Sequence, residues 1–119
     1  MSKSRNVIQV KSFNFALRII TLVKFLEKEQ KEYTISKQVM RSGTAVGAMI
    51  REAEHAESKK DFIHKMSISL KEANETRYWL DLLFESELIS DFEINQVRDD
   101  CIELIRILAS IVKSSKSNS

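Results

Sequence analysis

The sequence has 119 residues, a net charge of +2, no proline, two glycines and one cysteine, and 43% of its residues are hydrophobic. This length suits one domain with a single core. The composition excludes a disordered, a collagen-like and a turn-rich β protein, and it predicts an all-α fold. The lone cysteine cannot form an internal disulfide, which is typical of a protein from a reducing compartment.

A first helix is predicted from Ser12 to Lys31, after a basic and partly ordered lead-in over residues 1–11. Apolar residues at three- and four-residue spacing predict its core face: Phe15, Ile19, Leu22, Val23 and Leu26. A second apolar stripe, on nearly the opposite side, holds Phe13, Leu17 and Ile20. Because a helix that is apolar on two faces is buried on two faces, this second stripe predicts contact with another subunit.

This segment is the most apolar of the chain, but it does not predict a membrane helix. Arg18 and Lys24 interrupt it, so no apolar run reaches the length that spans a bilayer. No cleavage-site pattern follows Leu26. We therefore expect a cytoplasmic protein without a membrane partner.

The second helix carries both glycines. Its predicted core stripe consists of Ile35, Val39, Ser42, Val46, Met49, Ala53 and Ala56. Gly43 and Gly47 lie four residues apart within the same helix, and each costs about 1 kcal/mol relative to alanine. Close approach of a neighbouring helix offsets such a cost, so both glycines are predicted to be packing residues.

A third helix is predicted after Ser58, which with Asp61 three positions later is typical of a helix N-cap. Its core stripe is Phe62, Met66, Leu70, Ala73, Leu80 and Leu83, and a second apolar set holds Ile68, Tyr78, Trp79 and Leu82. If helices 2 and 3 fold back at Ser58, residues equally far from this turn lie level. Arg41 then lies beside Glu75, and Glu52 beside Lys65.

The fourth helix is predicted after Ser90, with Glu93 three positions on. It has one apolar stripe, made of Ile94, Val97, Cys101, Leu104, Ile105, Leu108, Ile111 and Val112, which predicts a buried, structural thiol. Residues 113–119 are polar and are expected to fray. Short connections predict an antiparallel up-and-down four-helix bundle over residues 12–112.

Helices 2 and 3 carry a series of short motifs: RSGTAVGA over residues 41–48, Glu52-Ala53, SKKDFI over 58–63, LKEANET over 70–76 and YWL over 78–80. These motifs resemble those of the 23S rRNA-intervening sequence proteins, a bacterial family of four-helix bundles. The resemblance implies a ring-like homo-pentamer with no known enzymatic activity. It also implies structural roles for the motif residues Arg41, Ser42, Gly43, Gly47, Glu52, Asp61 and Glu75.

Two residue pairs have the spacing of metal ligands in ferritin-like bundles, namely Glu52 with His55 and Asp61 with His64. His55 is predicted to face away from the core, and helices 1 and 4 offer no inward carboxylates. The two glycines lack the lysine–serine pair of a phosphate-binding loop. We therefore predict no metal, no cofactor and no catalytic residue.

The charges are distributed unevenly between the two ends of the predicted bundle. The end that holds both termini gathers Lys3, Arg5, Lys11, Lys59, Lys60, Lys65, Lys113 and Lys116 against Glu54, Glu57 and Asp61. The opposite end, formed by residues 27–41 and 81–100, has ten acidic against five basic residues. The basic end is therefore a candidate surface for RNA or DNA, although mixed charges at helix ends also serve solubility alone.

Three functions fit these features. The first is a non-enzymatic homo-oligomeric scaffold whose basic end binds nucleic acid. The second is a protein-binding or structural assembly module, in which the hairpin of helices 2 and 3 serves assembly alone. The third and weakest is a metal-dependent enzyme in the bundle core.

Overall fold

The computed structural model describes residues 3–89 and 91–118, which form four α-helices. These helices are α1 (Lys3–Glu29), α2 (Thr34–Ala53), α3 (Lys59–Glu85) and α4 (Asp91–Ser117). Each helix packs against its neighbours in the sequence and α4 packs against α1, whereas within the described ranges the diagonal pairs α1–α3 and α2–α4 stay apart. The resulting rod measures 47 × 21 × 19 Å. It confirms the predicted antiparallel four-helix bundle.

The first helix is longer than predicted. It begins at Lys3, well before Ser12, and the fourth helix continues past Val112 to Ser117. Ile8 is fully buried and precedes the buried Phe15 by seven residues, close to two helical turns. The predicted start was wrong because Ile8 continues the core stripe into the segment that was interpreted as a basic lead-in.

The core stripes of the four helices mostly match the prediction. Phe15, Ile19 and Leu26 of α1 are buried, as are Val39 and Val46 of α2. Ile50 is buried although it was not predicted to be. Five residues that were predicted to be in the core are only half-buried: Ile35, Met49, Ala56, Leu70 and Ile105.

The turn between α1 and α2 is held by Glu32. Its backbone N–H donates to the Leu26 carbonyl at 3.0 Å, which closes the end of α1. Its carboxylate accepts hydrogen bonds from the first backbone N–H groups of α2, at Thr34, Ile35 and Ser36. One glutamate therefore ends one helix and caps the next, which fixes the α1–α2 hairpin.

The turn between α2 and α3 confirms the predicted cap. Ser58 Oγ accepts a hydrogen bond from the backbone N–H of Asp61 at 3.0 Å, and the Asp61 carboxylate accepts one from the Glu57 N–H at 3.1 Å. This reciprocal pairing satisfies backbone donors on both sides of the turn. Ser90, which was predicted to precede α4, lies outside the described residues.

Buried hydroxyl groups connect α2 to α3. The Thr76 hydroxyl donates to Ser42 Oγ at 2.9 Å, and the Ser69 hydroxyl donates to the Val46 carbonyl at 2.8 Å. Within the described part of the chain, every buried polar side-chain atom has a hydrogen-bond partner. These directional contacts fix the register of the two helices, since an apolar seam alone tolerates sliding.

Candidate interaction surfaces

A charged cluster joins α2 to α3 at the surface. Arg41 Nη1 lies 3.2 Å from Glu72 Oε1, and Arg41 Nη2 donates to Glu75 Oε2. The same Glu75 oxygen accepts a hydrogen bond from Trp79 Nε1 at 3.0 Å. The indole and, next, the guanidinium hold the pKa of Glu75 below its ordinary value. The predicted proximity of Arg41 to Glu75 is confirmed, and so is that of Glu52 to Lys65, at 2.9 Å.

Glu72, which precedes Glu75 by almost one helical turn, is a second partner of Arg41 that the α2–α3 register did not predict. The spacing of three residues was available as a signal, since positions i and i+3 share one side of a helix. Arg41 therefore bridges two carboxylates rather than one.

Trp79 belongs to an aromatic pair on the outer side of α3. The Tyr78 ring meets the Trp79 ring edge to face, with centroids 5.0 Å apart and an interplanar angle of 68°. Tyr78 is 57% exposed and Leu82 is 37% exposed, whereas Trp79 is half-buried. We call these three residues the α3 aromatic face. Ile68, the remaining member of the predicted second stripe of α3, is half-buried.

An apolar stripe also lies exposed along α1. Phe13 is 55% exposed and Leu17 is 50% exposed, while Ile20 is half-buried. Val7 and Val10 extend the stripe toward the start of the helix, and Val10 is 61% exposed. Neither valine belongs to the predicted stripe, because both precede the predicted start of the helix at Ser12.

Gly43 and Gly47 both face α1. A Cβ atom added to Gly43 would lie 2.9 Å from Ile19 Cγ1, too close for any ordinary contact. A Cβ added to Gly47 would lie 3.4 Å from Ser12 Oγ, at ordinary van der Waals distance. Close helix approach therefore explains Gly43 directly and Gly47 only in part.

Beside Gly47 the surface opens into a groove of about 780 Å³ between α1 and α2. Five of its twelve lining residues are small, namely Ser12, Ala16, Thr44, Gly47 and Ala48. The other seven are larger or charged: Gln9, Phe13, Ile50, Arg51, Glu52, Glu54 and His55. We call this feature the α1–α2 groove. No sequence pattern predicted it.

The sequence and the fold of this chain both match one known family. The sequence profile described as 23S rRNA-intervening sequence protein matches residues 4–110. The chain belongs to this family. Its structure is similar to the crystal structure of a protein of unknown function from the S23 ribosomal protein family of Bacteroides thetaiotaomicron. The TM-score is 0.90 and the identity 52%, over 92% of this chain and 98% of that one. No match was found among curated proteins.

Several of the basic residues predicted at the end that holds both termini form contacts within the chain. Lys59 Nζ donates to the Asn118 carbonyl, so the start of α3 lies beside the end of α4. Lys11 pairs with Glu103 at 3.1 Å, and Lys65 pairs with Glu52. The side chains of Lys3 and Arg5 lie outside the described part of the structure.

Three further lysines of the basic end, Lys60, Lys113 and Lys116, are exposed. They form no ion pair with any residue that the structure describes. These three cations are therefore the ones that an anionic partner would meet first.

Neither the family description nor the description of the similar structure names a catalytic activity. Within residues 3–89 and 91–118, no group of three or more His, Cys, Asp or Glu side chains is placed to hold a metal ion. His55 and His64 are both exposed. Cys101 is buried, its thiol donates to the Ala73 carbonyl at 3.3 Å, and burial raises the pKa of that thiol to about 12. No helix in the described ranges has an apolar stretch long enough to cross a bilayer.

Proposed function

We propose that this member of the 23S rRNA-intervening sequence protein family is a non-enzymatic, homo-pentameric scaffold whose basic end binds RNA or DNA through the phosphates. The observation that carries the assembly is the exposure of Phe13, Leu17 and Tyr78, each of which is at least half exposed in a single chain. Phe13 and Leu17 lie on α1 and Tyr78 lies on α3, so they belong to two exposed apolar patches. Such patches are typical of surfaces that another protein covers. Five copies is the number that the family resemblance implies.

Nucleic-acid binding is supported by the free cations of the basic end. Lys60, Lys113 and Lys116 project from helix ends that the Lys59–Asn118 contact brings together. Lysines act as point charges, so they favour phosphate contacts over base recognition. A ring repeats this patch once per copy on one side, which raises the effective affinity without any new contact.

The solution mass of the purified protein tests the proposed assembly. The nucleic acid that copurifies with the protein tests the proposed binding. We expect a mass about five times the 13.8 kDa of one chain and a raised ratio of absorbance at 260 and 280 nm that falls at high salt. Trp79→Asp should lower the mass while the far-ultraviolet circular dichroism stays helical, and Arg106→Glu on the outside of α4 serves as the matched control. A wild-type protein that is monomeric at micromolar concentration would contradict the assembly.

A second candidate function, a protein-binding or structural module without nucleic acid, has one observation in its favour. Lys11 and Lys65 are neutralised by Glu103 and Glu52, which weakens the positive potential of the basic end. An assembled ring that binds neither RNA nor DNA at low salt would select this candidate.

A further inference from the structure

The structure shows two uncovered surfaces of different shape, and their complementarity indicates how copies of the chain meet. We infer that the α3 aromatic face of one copy docks into the α1–α2 groove of a second copy. The inference rests on the proposed assembly and specifies which surfaces form its interface.

The groove fits a large side chain supplied from outside. Ser12, Ala16, Gly47 and Ala48 are small, so they leave about 780 Å³ of open space between two helices that carry bulky residues elsewhere. Phe13 borders the groove and yet remains 55% exposed, so the chain does not fill this space itself. A side chain of a second copy can fill this volume, because interfaces pack as densely as protein interiors.

The α3 aromatic face has the properties of such a partner. Trp79 is held at its indole nitrogen by Glu75, and the Tyr78 ring packs on its edge. The Trp79 indole is thus oriented before docking, so little rotamer entropy is lost when it is buried. Tyrosine and tryptophan are also the residues enriched at interface hot spots.

The edge of the groove is charged, since Arg51, Glu52 and Glu54 all line it, and Glu52 is already paired with Lys65. Arg51 borders the groove, is exposed and forms no ion pair with the described residues. A guanidinium over an aromatic face is a favourable contact, and the exposed ring of Tyr78 is the aromatic group that the docked copy presents.

The positions of the two surfaces decide the symmetry of the assembly. The groove lies on α1 and α2, whereas Tyr78 and Trp79 lie on α3, and α1 and α3 are diagonal in the bundle. One copy can therefore use its aromatic face with one neighbour and its groove with another. Such head-to-tail contacts form a ring when the rotation between copies closes, whereas a two-fold dimer uses the same surface patch on both copies.

The two surfaces lie at different levels along the bundle. The α1–α2 groove is closer to the end that holds both termini, and the α3 aromatic face is farther from it. Gly47 lies against Ser12, whereas Arg41, which lies nearer the other end of α2, reaches Glu75 just before the aromatic pair. Docking therefore offsets adjacent copies along the helix direction. In a closed ring this offset requires the helices to be inclined to the ring axis.

Mixing two complementary variants tests the inference. Ala48→Trp fills the groove but keeps the aromatic face, and Tyr78→Asp damages the aromatic face but keeps the groove. Both positions are exposed, so we expect both variants to fold. Each variant alone should fall from the wild-type mass to that of a monomer. An equimolar mixture should form a 1:1 heterodimer and nothing larger, because it contains one intact pair of surfaces.

Disulfide trapping gives a second measurement that does not depend on the affinity of a single contact. A chain with both Ala48→Cys and Tyr78→Cys should form a ladder of covalent oligomers under mild oxidation. Cys101 is buried and does not compete. A chain with Arg106→Cys alone is the control and should give no ladder beyond a dimer.

The outcomes separate this inference from the proposed assembly. A monomeric wild type overturns both. If the wild type forms a ring but the chain with Ala48→Cys and Tyr78→Cys gives no covalent ladder, the docking is overturned and the assembly stands. A groove variant that still assembles fully has the same consequence. A stable dimer formed by either variant alone shows a two-fold contact and also overturns the docking.

Discussion

Gly43 of α2 lies directly against Ile19 of α1, and a methyl group at Gly43 would come within 2.9 Å of Ile19 Cγ1. Ile19 is fully buried in the core, so the neighbouring side chains limit how far it can move. Glycine has a conformational cost at this position, but its lack of a side chain lets α1 and α2 approach each other. Gly47, four residues later, has room for the same methyl group, and the two positions form a natural pair for comparison.

Gly43→Ala should destabilise the protein, whereas Gly47→Ala should stabilise it. Alanine improves helix propensity by about 1 kcal/mol at both positions, but overpacking against Ile19 costs about 1–3 kcal/mol at Gly43 alone. Thermal denaturation at fixed protein concentration measures both changes. If Gly43→Ala melts above wild type, the two helices separate more easily than the structure indicates.

Lys31 ends α1 in the left-handed conformation, with a φ of 54°. Glycine tolerates this conformation at no steric cost, whereas lysine loses about 1 kcal/mol there. Lys31→Gly should therefore raise the free energy of unfolding by about that amount, and denaturant titration measures it. Lys28→Gly, inside the last turn of the same helix, is the control and should lower stability by about 1 kcal/mol. Equal losses in both variants would contradict the prediction.

The Arg41–Glu75–Trp79 contacts make the indole sensitive to acid. The hydrogen bonds from Trp79 and Arg41 lower the pKa of Glu75 from its ordinary 4.5. The stabilisation from the ionised carboxylate is therefore complete above pH 4.5 and is lost as the pH falls through the lowered pKa. Trp79 is the only tryptophan in the sequence, so its fluorescence reports this loss directly.

We expect the wild-type fluorescence to change with a midpoint below pH 4.5, and we expect this transition to be absent in Glu75→Gln. The amide still accepts a hydrogen bond from the indole but carries no charge to titrate. Glu85→Gln, at the exposed end of α3, is the control and should keep the transition. A midpoint above 4.5 would show that the carboxylate is not stabilised by its two donors.

Cys101 should react only when the bundle opens. Because burial raises the pKa of its thiol to about 12, about one molecule in ten thousand carries the thiolate at pH 8. Labelling with a thiol reagent should be immediate in denaturant and slow in native buffer. Gly43→Ala should speed native labelling by the same factor by which it raises the unfolding equilibrium constant. Fast labelling of the native wild type would show an open path to the thiol.

The helices and the α2–α3 register were predictable from the sequence because both are local. Spacing of 3.6 residues identifies a buried stripe, and the short turn at Ser58 sets the level of Arg41 against Glu75. The pairing of Lys11 with Glu103 was not predictable in this way. It joins the first helix to the last, and no short turn fixes the level of one against the other.

The α1–α2 groove was also not predictable from the sequence. Its volume depends on the distance between two helix axes, which packing over the whole core sets. The small residues that line it, such as Ala16 and Ala48, also suit tight helix packing, so their pattern did not distinguish contact from open space. For the same reason the sequence predicts a packing role for both Gly43 and Gly47, although only Gly43 is tightly enclosed.

Binding of nucleic acid should depend on the free lysines of the basic end. Lys60→Glu combined with Lys113→Glu should abolish binding of duplex DNA and leave the solution mass unchanged, because both side chains are exposed and unpaired among the described residues. Lys28→Glu combined with Lys37→Glu makes the same change of charge at the opposite end, so it controls for net charge and should bind nearly as wild type does. Fluorescence anisotropy with a labelled duplex measures both.

Salt provides the quantitative check, because each neutralised phosphate contributes a slope of about −0.9 in the logarithm of affinity against the logarithm of salt concentration. A ring that uses about six contacts should therefore lose on the order of a thousandfold in affinity between about 50 and 200 mM salt. A variant that disrupts the ring, such as Trp79→Asp, should show both weaker binding and a shallower slope, since fewer lysines then reach one duplex. If the double lysine variant binds as tightly as wild type, the basic end is not the binding surface, whereas a wild-type ring that binds no duplex at about 50 mM salt selects the structural-module function.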